Sequence, residues 1–362
     1  MKILFLFKYH QRQIEHIESR AQKLQLTTYQ ERLDFVASTN VHFFLTLIAY
    51  FKRLGHSAEI YSPNFKFLQS KWAEENNIVL DNNWQYSLPK EQIKKFGPDI
   101  LFISSNFDYF GDFVKDVRPY VKKVCAWISC PFEKDLYLGN IDHVFTLFQP
   151  HYDYFKSKNI SATLTRAGFD PLELKELSFE KKYEVTFIGG IGKFHKIREK
   201  YLRAIARKTP LKIWGYGFVN DNPVKNAIKK FLVGSAILKA YQGESWGKEM
   251  LQIHAGSKIC FNIHGDIAAG HFVNMRMFEV TGVGSLLLTE YNPEITDIFI
   301  PDKEIVCYNC IEEAIEKINY YLSHDDERQK IAMAGQEKCL KNYSYEPLAL
   351  EYIKEFQKLL NI

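Results

Sequence analysis

Short apolar runs alternate with longer helix-like segments along almost the whole chain. In the first half the apolar runs are KILFLF, SAEIYS, DILFISS, KVCAWIS, HVFTLF and ATLTRA, and in the second half they are VTFIGG, LKIWGYG, KICFNIH, SLLLTE and IVCYN. Apolar strands separated by helices are typical of parallel sheets that helices cover on both faces. The pattern predicts an α/β protein with two Rossmann-like domains.

The polar segment KELSFEKKYE separates the two series and predicts an interdomain linker. At 362 residues the chain is long enough for two domains of ordinary size. We predict a first domain over 1–172, a linker over 173–183, a second domain over 184–343 and a final helix over 344–362. A polar, helix-like segment at about 9–37 has the character of an insertion after the first strand.

The composition is that of a folded globular protein, with 46% hydrophobic and 25% charged residues. A net charge of +4 without a concentrated basic stripe argues against a nucleic-acid binder. The same charge permits contact with a phosphorylated ligand or with an anionic membrane surface. No apolar segment reaches the roughly 18 residues of a membrane span, and Lys8 interrupts the apolar start, which predicts a buried strand instead of a signal peptide. We expect a cytoplasmic protein, compatible with peripheral contact with the inner membrane face.

The six cysteines fit a reducing compartment. Only CYNC, from Cys307 to Cys310, has the spacing of a metal or redox pair, and no second pair stands at comparable spacing nearby. The motif lies between an apolar run and a helix-like segment. We therefore interpret both cysteines as half-buried structural residues.

The stretch NMRMFEVTGVGSLLLTE places charged side chains around an apolar passage. If a helix runs from Met275 to Thr281, then Asn274, Arg276 and Glu279 lie in or beside its first turns, at the edge of the sheet where ligands of open α/β folds bind. Glu290 ends the next strand and returns to the same edge. A carboxylate there suits ribose hydroxyls and an arginine suits phosphate. Alternatively, Arg276 and Glu279 only pair with each other, three residues apart on one helix.

The stretch FIGGIGKFHKIR predicts a strand, a glycine turn and the start of a helix. Glycines let backbone N–H groups approach an anion, and a helix N-terminus favours negative charge. Four basic or titratable side chains follow the glycines: Lys193, His195, Lys196 and Arg198. The spacing is not that of the dinucleotide fingerprint. The segment is either a phosphate-binding loop or an ordinary solvated helix face.

Two further strand ends of the second half carry candidate residues. FNIHGD brings His264 and Asp266 to the edge of the sheet, as ligand contacts, as a base or as hydrogen-bonded structural residues. IWGYG places Trp214 and Tyr216 where an aromatic ring could stack on a nucleobase, although Trp214 fits a core position equally well.

In the first half, candidate general bases follow three of the strands. They are His10, Asp108 and Glu133. The sequence alone does not show which of the three would act as the general base.

The second half also resembles a known family. The series VTFIGG, KIWGYG, GKEML, SKICFNIHGD, NMRMFEVTGVGSLLLTE and the long closing helical segment is similar to the CgeB-like bacterial glycosyltransferases, from about Tyr183 to Ile353. The first half, with AWISCPF, DHVFTLF and TRAGFDP, resembles their acceptor-side domain more loosely. The resemblance implies the GT-B fold: two Rossmann-like domains facing across a cleft, with a last helix that crosses back to the first domain and bends at Pro347.

The resemblance also implies roles for individual residues. Glu279 matches the glutamate that holds the donor ribose, and Arg198 with the Gly189–Gly190 turn matches the loop that faces the diphosphate. The larger retaining group often has a second glutamate eight positions upstream of the first, where this chain has His271. The candidate catalytic residues are therefore His271, Asp266 and His10, and the candidate donor-binding residues are Gly189, Gly190, Lys193, Arg198, Trp214, Gly215, His264, Asn274, Arg276 and Glu279.

The implied function is the transfer of a sugar from a nucleotide-diphosphate sugar to a hydroxyl group of a glycan or lipid-linked glycan, in bacterial surface polysaccharide or glycoconjugate synthesis. No cofactor and no essential metal are expected. The alternatives are a sugar-nucleotide epimerase or hydrolase of similar fold, and a non-catalytic binding protein. The second alternative is favoured by the departure at His271.

Overall fold

The computed structural model describes residues 1–39, 43–104, 106–133, 135–192, 196–219, 224, 227–228, 235–264 and 273–362. It separates into two compact units, one made of Met1–Arg166 with Tyr345–Ile362 and the other of Ala167–Ser344. Each unit contains a six-stranded sheet whose paired strands are all parallel. The predicted α/β class with two Rossmann-like sheets is therefore confirmed.

The sheet of the first unit has the strand order β2-β1-β3-β4-β5-β6. Its strands are β1 (Lys2–Leu6), β2 (Ser57–Tyr61), β3 (Ile100–Ser104), β4 (Lys123–Trp127), β5 (His143–Thr146) and β6 (Ala162–Leu164). Its helices are α1 (Gln11–Ala21), α2 (Tyr29–Thr39), α3 (Phe43–Arg53), α4 (Lys66–Glu75), α5 (Trp84–Phe96), α6 (Asp112–Val117), α7 (Gln149–Ser157) and the last helix of the chain, α14 (Tyr345–Leu360).

Aromatic side chains join the last helix to the core of the first unit. The ring of Phe356 on α14 lies 6.1 Å from Phe51 on α3, and Tyr352 stacks on Phe145 of β5 at 4.7 Å. Pro347 stands in the first turn of α14, where a missing N–H leaves no acceptor unpaired. α14 is one continuous helix from Tyr345 to Leu360, so Pro347 does not interrupt it.

The segment that the sequence marks as an insertion forms the two helices α1 and α2. His10 is the N-cap of α1, and its Nδ1 accepts a hydrogen bond from the backbone N–H of Arg12 at 3.3 Å. Nη1 of Arg32, on α2, donates a hydrogen bond to the carbonyl of Phe67, on α4, at 2.6 Å. Among the described residues, no single helix combines the length and apolar character that crossing a membrane requires.

The sheet of the second unit has the order β12-β11-β10-β7-β8-β9. Its strands are β7 (Tyr183–Ile188), β8 (Leu211–Trp214), β9 (Tyr241–Gly243), β10 (Ser257–Phe261), β11 (Leu286–Glu290) and β12 (Val306–Tyr308). Its helices are α8 (Lys196–Lys208), α9 (Ser235–Ala240), α10 (Gly247–Ala255), α11 (Met275–Gly282), α12 (Ile311–Ser323) and α13 (Asp325–Asn342). The sequence did not predict β9, because three residues without an apolar run give no strand pattern.

The two cysteines of CYNC have different environments. Cys307 is buried in β12, where burial raises the pKa of its thiol to about 12. Cys310 is exposed at the start of α12, so the expectation of two half-buried cysteines is wrong for both. Within the described residues, no group of three or more His, Cys, Asp and Glu side chains could hold a metal ion.

Candidate functional site

The strand order of the second unit places a topological switch point between β7 and β10. The chain runs from β7 to β8 and β9 on one side of the sheet and then returns to β10 on the other side. Ligands of open α/β sheets bind outside the carboxyl ends of the strands at such a point. A ligand is therefore expected to bind beside the carboxyl ends of β7 and β10.

Glycines allow the loops after β7 and β8 to approach each other closely. A Cβ atom on Gly215 would lie 2.0 Å from the carbonyl oxygen of Gly189, and Gly215 has a φ of +145°. A Cβ atom on Gly190 would lie 2.3 Å from the ring of Tyr216. The backbone N–H of Ile191 donates to the carbonyl of Tyr216 at 3.0 Å. These glycines are required by packing between the two loops, whatever they bind.

Arg198 connects the loops on either side of the switch point. Its Nε donates to the carbonyl of Ile263, after β10, at 3.1 Å, and its Nη1 donates to the carbonyl of Gly190, after β7, at 3.0 Å. The guanidinium also lies over the ring of Phe187 at 5.9 Å. The fork of an arginine suits such a pair of acceptors. The predicted phosphate-facing arginine thus holds together the loops that would surround the phosphate.

His264 and Glu290 meet at the carboxyl ends of β10 and β11. One carboxylate oxygen of Glu290 accepts from the backbone N–H of His264 at 2.6 Å and lies 3.2 Å from its Nδ1. Burial lowers the pKa of His264, while the hydrogen bond and charge of Glu290 act in the opposite direction. Glu290 therefore returns to the same edge of the sheet, as its position after SLLLT predicts, and holds His264 in place after β10.

Asn274 caps the start of helix α11. Its Oδ1 accepts from the backbone N–H of Met277 at 3.2 Å, and its Nδ2 donates to Oδ1 of Asn262 at 3.3 Å. Asn262 is buried and donates in turn to Oγ1 of Thr289 at 2.9 Å. The start of α11 is thus tied to the ends of β10 and β11, which gives its first turns a fixed position.

Arg276 and Glu279 form an ion pair, as their spacing allows. Nη1 of Arg276 lies 2.6 Å from Oε2 of Glu279, and the two side chains are 20% and 13% exposed. Within the described chain, Oε1 of Glu279 has no hydrogen-bond partner, and neither Nε nor Nη2 of Arg276 has one. The ion pair therefore occupies only part of each group, and the pair is still able to receive a ligand.

Helix α10 supplies two contacts to Arg276 that the sequence did not predict. Nη1 of Arg276 lies 3.0 Å from Nε2 of His254 and 2.6 Å from Sδ of Met250. Met250 and His254 are one helical turn apart on the same face of α10. His254 is 1% exposed, and burial, together with the charge of Arg276, lowers its pKa well below the usual range. A neutral imidazole is therefore part of the support for Arg276.

The two aromatic residues after β8 have different environments. Trp214 is buried and packs edge-on against Tyr183 at 5.1 Å, which agrees with the core position that the sequence also allowed. Tyr216 is half-buried and lies parallel to Trp246 with ring centroids 6.0 Å apart and an angle of 4°. Tyr216 and Trp246 are the aromatic pair beside the glycine loops.

The candidate bases of the first half belong to the first unit. Asp108 is exposed and pairs with Lys8 at 3.4 Å, which links the loops after β3 and β1. His10 is exposed at the N-cap of α1, and Glu133 is exposed as well. The candidates Lys193, Asp266 and His271, together with His195, lie outside the described residues.

Comparison with known proteins agrees with this architecture. Residues 198–354 match the family described as glycosyl transferase-like. No curated protein matches the sequence significantly. Similar solved structures include a glycosyltransferase from Rickettsia africae ESF-5 (12% identity, TM-score 0.63, covering 99% of this chain and 98% of that one). Others are sucrose-phosphate synthase from Thermosynechococcus elongatus (10% identity, TM-score 0.61, 100% of both chains) and Anabaena Alr3699/HepE in complex with UDP-glucose (10% identity, TM-score 0.63, 99% of this chain and 100% of that one).

The fold is that of the GT-B glycosyltransferases. The structural likeness extends over the whole chain, and the family match covers α8 to most of α14. Together they support a glycosyltransferase of the GT-B fold.

Within the GT-B frame, the second unit offers groups suited to an anionic, hydroxylated ligand. A half-engaged carboxylate on Glu279 can accept hydrogen bonds from hydroxyl groups, and the remaining N–H groups of Arg276 can donate to anionic oxygens. Both side chains are partly shielded from water, which strengthens such bonds relative to an exposed site.

Proposed function

We propose that this chain is a nucleotide-sugar glycosyltransferase that transfers a sugar from a nucleoside-diphosphate donor to a hydroxyl group of a glycan or lipid-linked glycan. The GT-B fold and the family match support the reaction class. The main structural support for the donor site is the state of the Glu279 carboxylate. Arg276 holds one of its oxygens at 2.6 Å, while the other has no partner in the described chain.

In the proposed complex, Oε1 of Glu279 accepts hydrogen bonds from the ribose hydroxyls of the nucleotide. The N–H groups of Arg276 at Nε and Nη2, which have no partner among the described residues, donate to oxygens of the diphosphate. Arg198 and the glycines Gly189, Gly190 and Gly215 keep the surrounding loops in place. Lys193, which follows these glycines, is proposed as a further phosphate contact.

The chemistry is an exchange at the anomeric carbon of the donor sugar. The bond from this carbon to the diphosphate oxygen breaks, and the nucleoside diphosphate leaves with the electron pair. The acceptor oxygen bonds to the same carbon, and the acceptor hydroxyl gives up its proton. Preorganised donors such as the N–H groups of Arg276 stabilise the charge that grows on the leaving diphosphate. We propose that they replace a metal in this role.

The residues that act on the acceptor and on the transferred sugar are further parts of the proposal. His271 stands where related enzymes often have a glutamate, Asp266 follows β10, and His10 follows β1. We propose His10 as a base for the acceptor hydroxyl and the other two as contacts to the transferred sugar. Synthesis of bacterial surface polysaccharide at the cytoplasmic face of the membrane, and a position among CgeB-like enzymes, complete the proposal.

Calorimetric titration with UDP, GDP, ADP, CDP and TDP tests the donor site. UDP is the first nucleotide to try, since Anabaena HepE has been solved with UDP and with UDP-glucose. We expect saturable binding of one nucleotide that is weakened in Glu279→Gln and unchanged in the exposed control Glu316→Gln. Failure of all five nucleotides to bind the folded protein would contradict the proposal and would favour a non-catalytic binding protein.

Product analysis with the matching nucleotide sugar tests the reaction. A transferase forms its glycoside only when a hydroxyl acceptor is present. Free sugar or an epimerised donor, formed equally well without any acceptor, would identify a hydrolase or epimerase instead. Activity that EDTA abolishes and a divalent metal restores would contradict the metal-independent part of the proposal.

A further inference from the structure

A cavity of about 460 Å³ lies in the first unit, between α2, α3 and the edge strand β2. It shares no residue with the candidate site of the second unit. We call it the edge pocket. Its apolar wall is formed by Leu33, Ala37, Leu45, Ile48, Ala49 and Phe96. The volume lies within the usual range of small-molecule sites, about 300–1,000 Å³.

The way in which α2 is anchored explains why a gap remains beside α3. The backbone N–H of Tyr29 donates to Glu75 at 2.6 Å, and Arg32 donates to the carbonyl of Phe67 at 2.6 Å. Both bonds draw α2 toward α4. On the pocket side, α2 and α3 present the small residues Ala37 and Ala49, which cannot fill the space between the helices. Well-packed interiors contain few voids larger than a water molecule, so a gap of this size is a candidate binding site.

The edge pocket also lies against strand positions whose backbone groups have no neighbouring strand. Two hydrogen bonds show which residues of β2 face β1. The N–H of Phe7 donates to the carbonyl of Tyr61, and the N–H of Ser57 donates to the carbonyl of Met1. Alternate residues of a parallel strand direct their N–H and C=O groups to opposite sides. Ile60, which lines the pocket, therefore directs its N–H and C=O away from β1, toward the open edge.

One end of the edge pocket is polar. Oε2 of Glu59 accepts from the hydroxyl of Tyr61 at 2.5 Å, whereas Oε1 has no hydrogen-bond partner in the described chain. The hydroxyl of Tyr29 has none there either. Burial, and then the charge of Glu59, raise the pKa of both phenols, so both remain neutral. A half-buried carboxylate with one unused oxygen thus faces an otherwise apolar space.

The other charged residues of the lining are exposed. Asp34 accepts from Gln30 at 2.7 Å, and Lys95 donates to Asn76. Lys52 and Asp34 lie at exposed positions of α3 and α2. Glu59, by contrast, is half-buried, so water and salt screen its charge less than the charges of the exposed lining residues.

We propose that the edge pocket binds a small amphiphile with an apolar body and a primary ammonium head, which pairs with Glu59. An ammonium group makes a charge-assisted hydrogen bond to a carboxylate, stronger than the bond from a neutral hydroxyl. The rings of Tyr29, Tyr61 and Trp72, which all line the pocket, favour a cation as well. The apolar wall takes the body of the ligand, and a carboxylate head is repelled by Glu59.

A matched series of probes tests this selectivity: 4-phenylbutylamine, 4-phenylbutan-1-ol and 4-phenylbutyrate share one apolar body and differ in the head group. Ligand-observed NMR titration at pH 7.4 should show the amine binding about tenfold more tightly than the alcohol, and the acid binding most weakly. Affinities of such small probes are expected near the millimolar range or tighter. Equal affinities for all three, or tightest binding of the acid, would overturn the proposal.

Variants locate the binding. Glu59→Gln should reduce the affinity of the amine about tenfold and leave the alcohol nearly unchanged. Glu74→Gln, at an exposed residue of α4 that pairs with Lys71 outside the pocket, should change neither. Ala49→Phe, at an exposed position of α3 that faces the cavity, should weaken all three probes. Each variant is checked for an unchanged melting temperature and for unchanged nucleotide binding, because the proposed nucleotide site shares no residue with the edge pocket. Persistence of amine binding in both Glu59→Gln and Ala49→Phe would place the probe elsewhere and overturn the assignment.

Discussion

Nη1 of Arg276 lies 3.0 Å from Nε2 of His254. A guanidinium group can only donate hydrogen bonds, so Nε2 must accept, and the imidazole carries its proton on Nδ1. Nδ1 is buried without a hydrogen-bond partner in the described chain. The same Nη1 contacts Oε2 of Glu279 at 2.6 Å. His254 therefore helps to orient the arginine that in turn orients the proposed ribose-binding carboxylate.

His254→Leu should weaken nucleotide binding without a matching change in stability. The substitution removes a hydrogen bond from a charged donor and leaves Arg276 free to turn away from Glu279, so we expect nucleotide affinity to fall at least about fivefold, or about 1 kcal/mol. His254→Gln, whose amide oxygen can accept in place of Nε2, should restore part of the affinity. Titration with the bound nucleotide and thermal unfolding of both variants provide the comparison. Equal affinities of the Leu and Gln variants would reduce His254 to a packing residue.

Glu279→Gln should lower donor affinity by about 1.5–3 kcal/mol, on the order of tenfold to a hundredfold. Glutamine keeps the shape and an oxygen for Arg276 but removes the charge that strengthens bonds to hydroxyl groups. The stability loss should be smaller than the loss of affinity, because the amide oxygen of glutamine still accepts from Arg276 although the two side chains are only 20% and 13% exposed. The exposed Glu316→Gln is the control for the loss of one negative charge. Unchanged nucleotide affinity in Glu279→Gln would remove this residue from the site.

Gly215→Ala should be strongly destabilising. The new Cβ would lie 2.0 Å from a backbone oxygen, which cannot move aside as a flexible side chain can, and φ is +145°. We expect a loss of at least about 2 kcal/mol, together with loss of nucleotide binding as the two loops separate. Gly192→Ala is the matched control, because Gly192 has a φ of +150° but no atom of the described residues lies within 4 Å of the added Cβ. Similar melting temperatures for the two variants would show that the close approach of the loops is unimportant.

Acid should destabilise the first unit through His143. This residue is buried between Ser161 and Thr163, and burial, with the charges of Lys358 and Lys156, lowers its pKa to about 4. The unfolded chain, with an ordinary histidine pKa near 6.5, binds a proton first as the pH falls, so stability is lost between about pH 6.5 and 4. The full effect is on the order of 3 kcal/mol.

Melting temperatures between pH 8 and 4.5 test the role of His143. His143→Gln, which cannot titrate, should have a shallower decline than the parent protein. A residual decline is expected in both, since the pKa values of His254 and His264 in the second unit are lowered as well. Parallel profiles would assign the acid sensitivity to other groups.

Much of the fold could be predicted because buried parallel strands leave a strong mark in the sequence. The runs around Ile3–Leu6, Ile100–Ile103 and Leu286–Leu288 are wholly apolar because helices cover both faces of each strand. β9, with three residues and one aromatic side chain, carries no such mark. The position of Glu290 beside His264 also followed from topology, since the ends of neighbouring parallel strands meet at one edge.

The contacts of the candidate site were harder to predict, because they depend on which helix faces meet. The spacing of Arg276 and Glu279 was compatible with an ion pair and with a ligand site. Only the geometry shows that, among the described residues, the pair leaves donors and an acceptor unused. Met250 and His254 share a helix face, but nothing in the sequence states that this face meets α11. Trp214 and Tyr216 are two residues apart, and only one of the two rings is buried.

The division of the chain has a consequence for the order in which the protein is made. The first unit consists of Met1–Arg166 and Tyr345–Ile362, whereas the second is one continuous stretch. A ribosome therefore completes the second unit before it supplies α14, whose Tyr352 and Phe356 fill the core of the first. At roughly 5–20 residues per second, the early part of the first unit waits on the order of ten to forty seconds for its last helix. During that interval the aromatic side chains that later pack against α14, Phe51 and Phe145 among them, lack their partners on this helix.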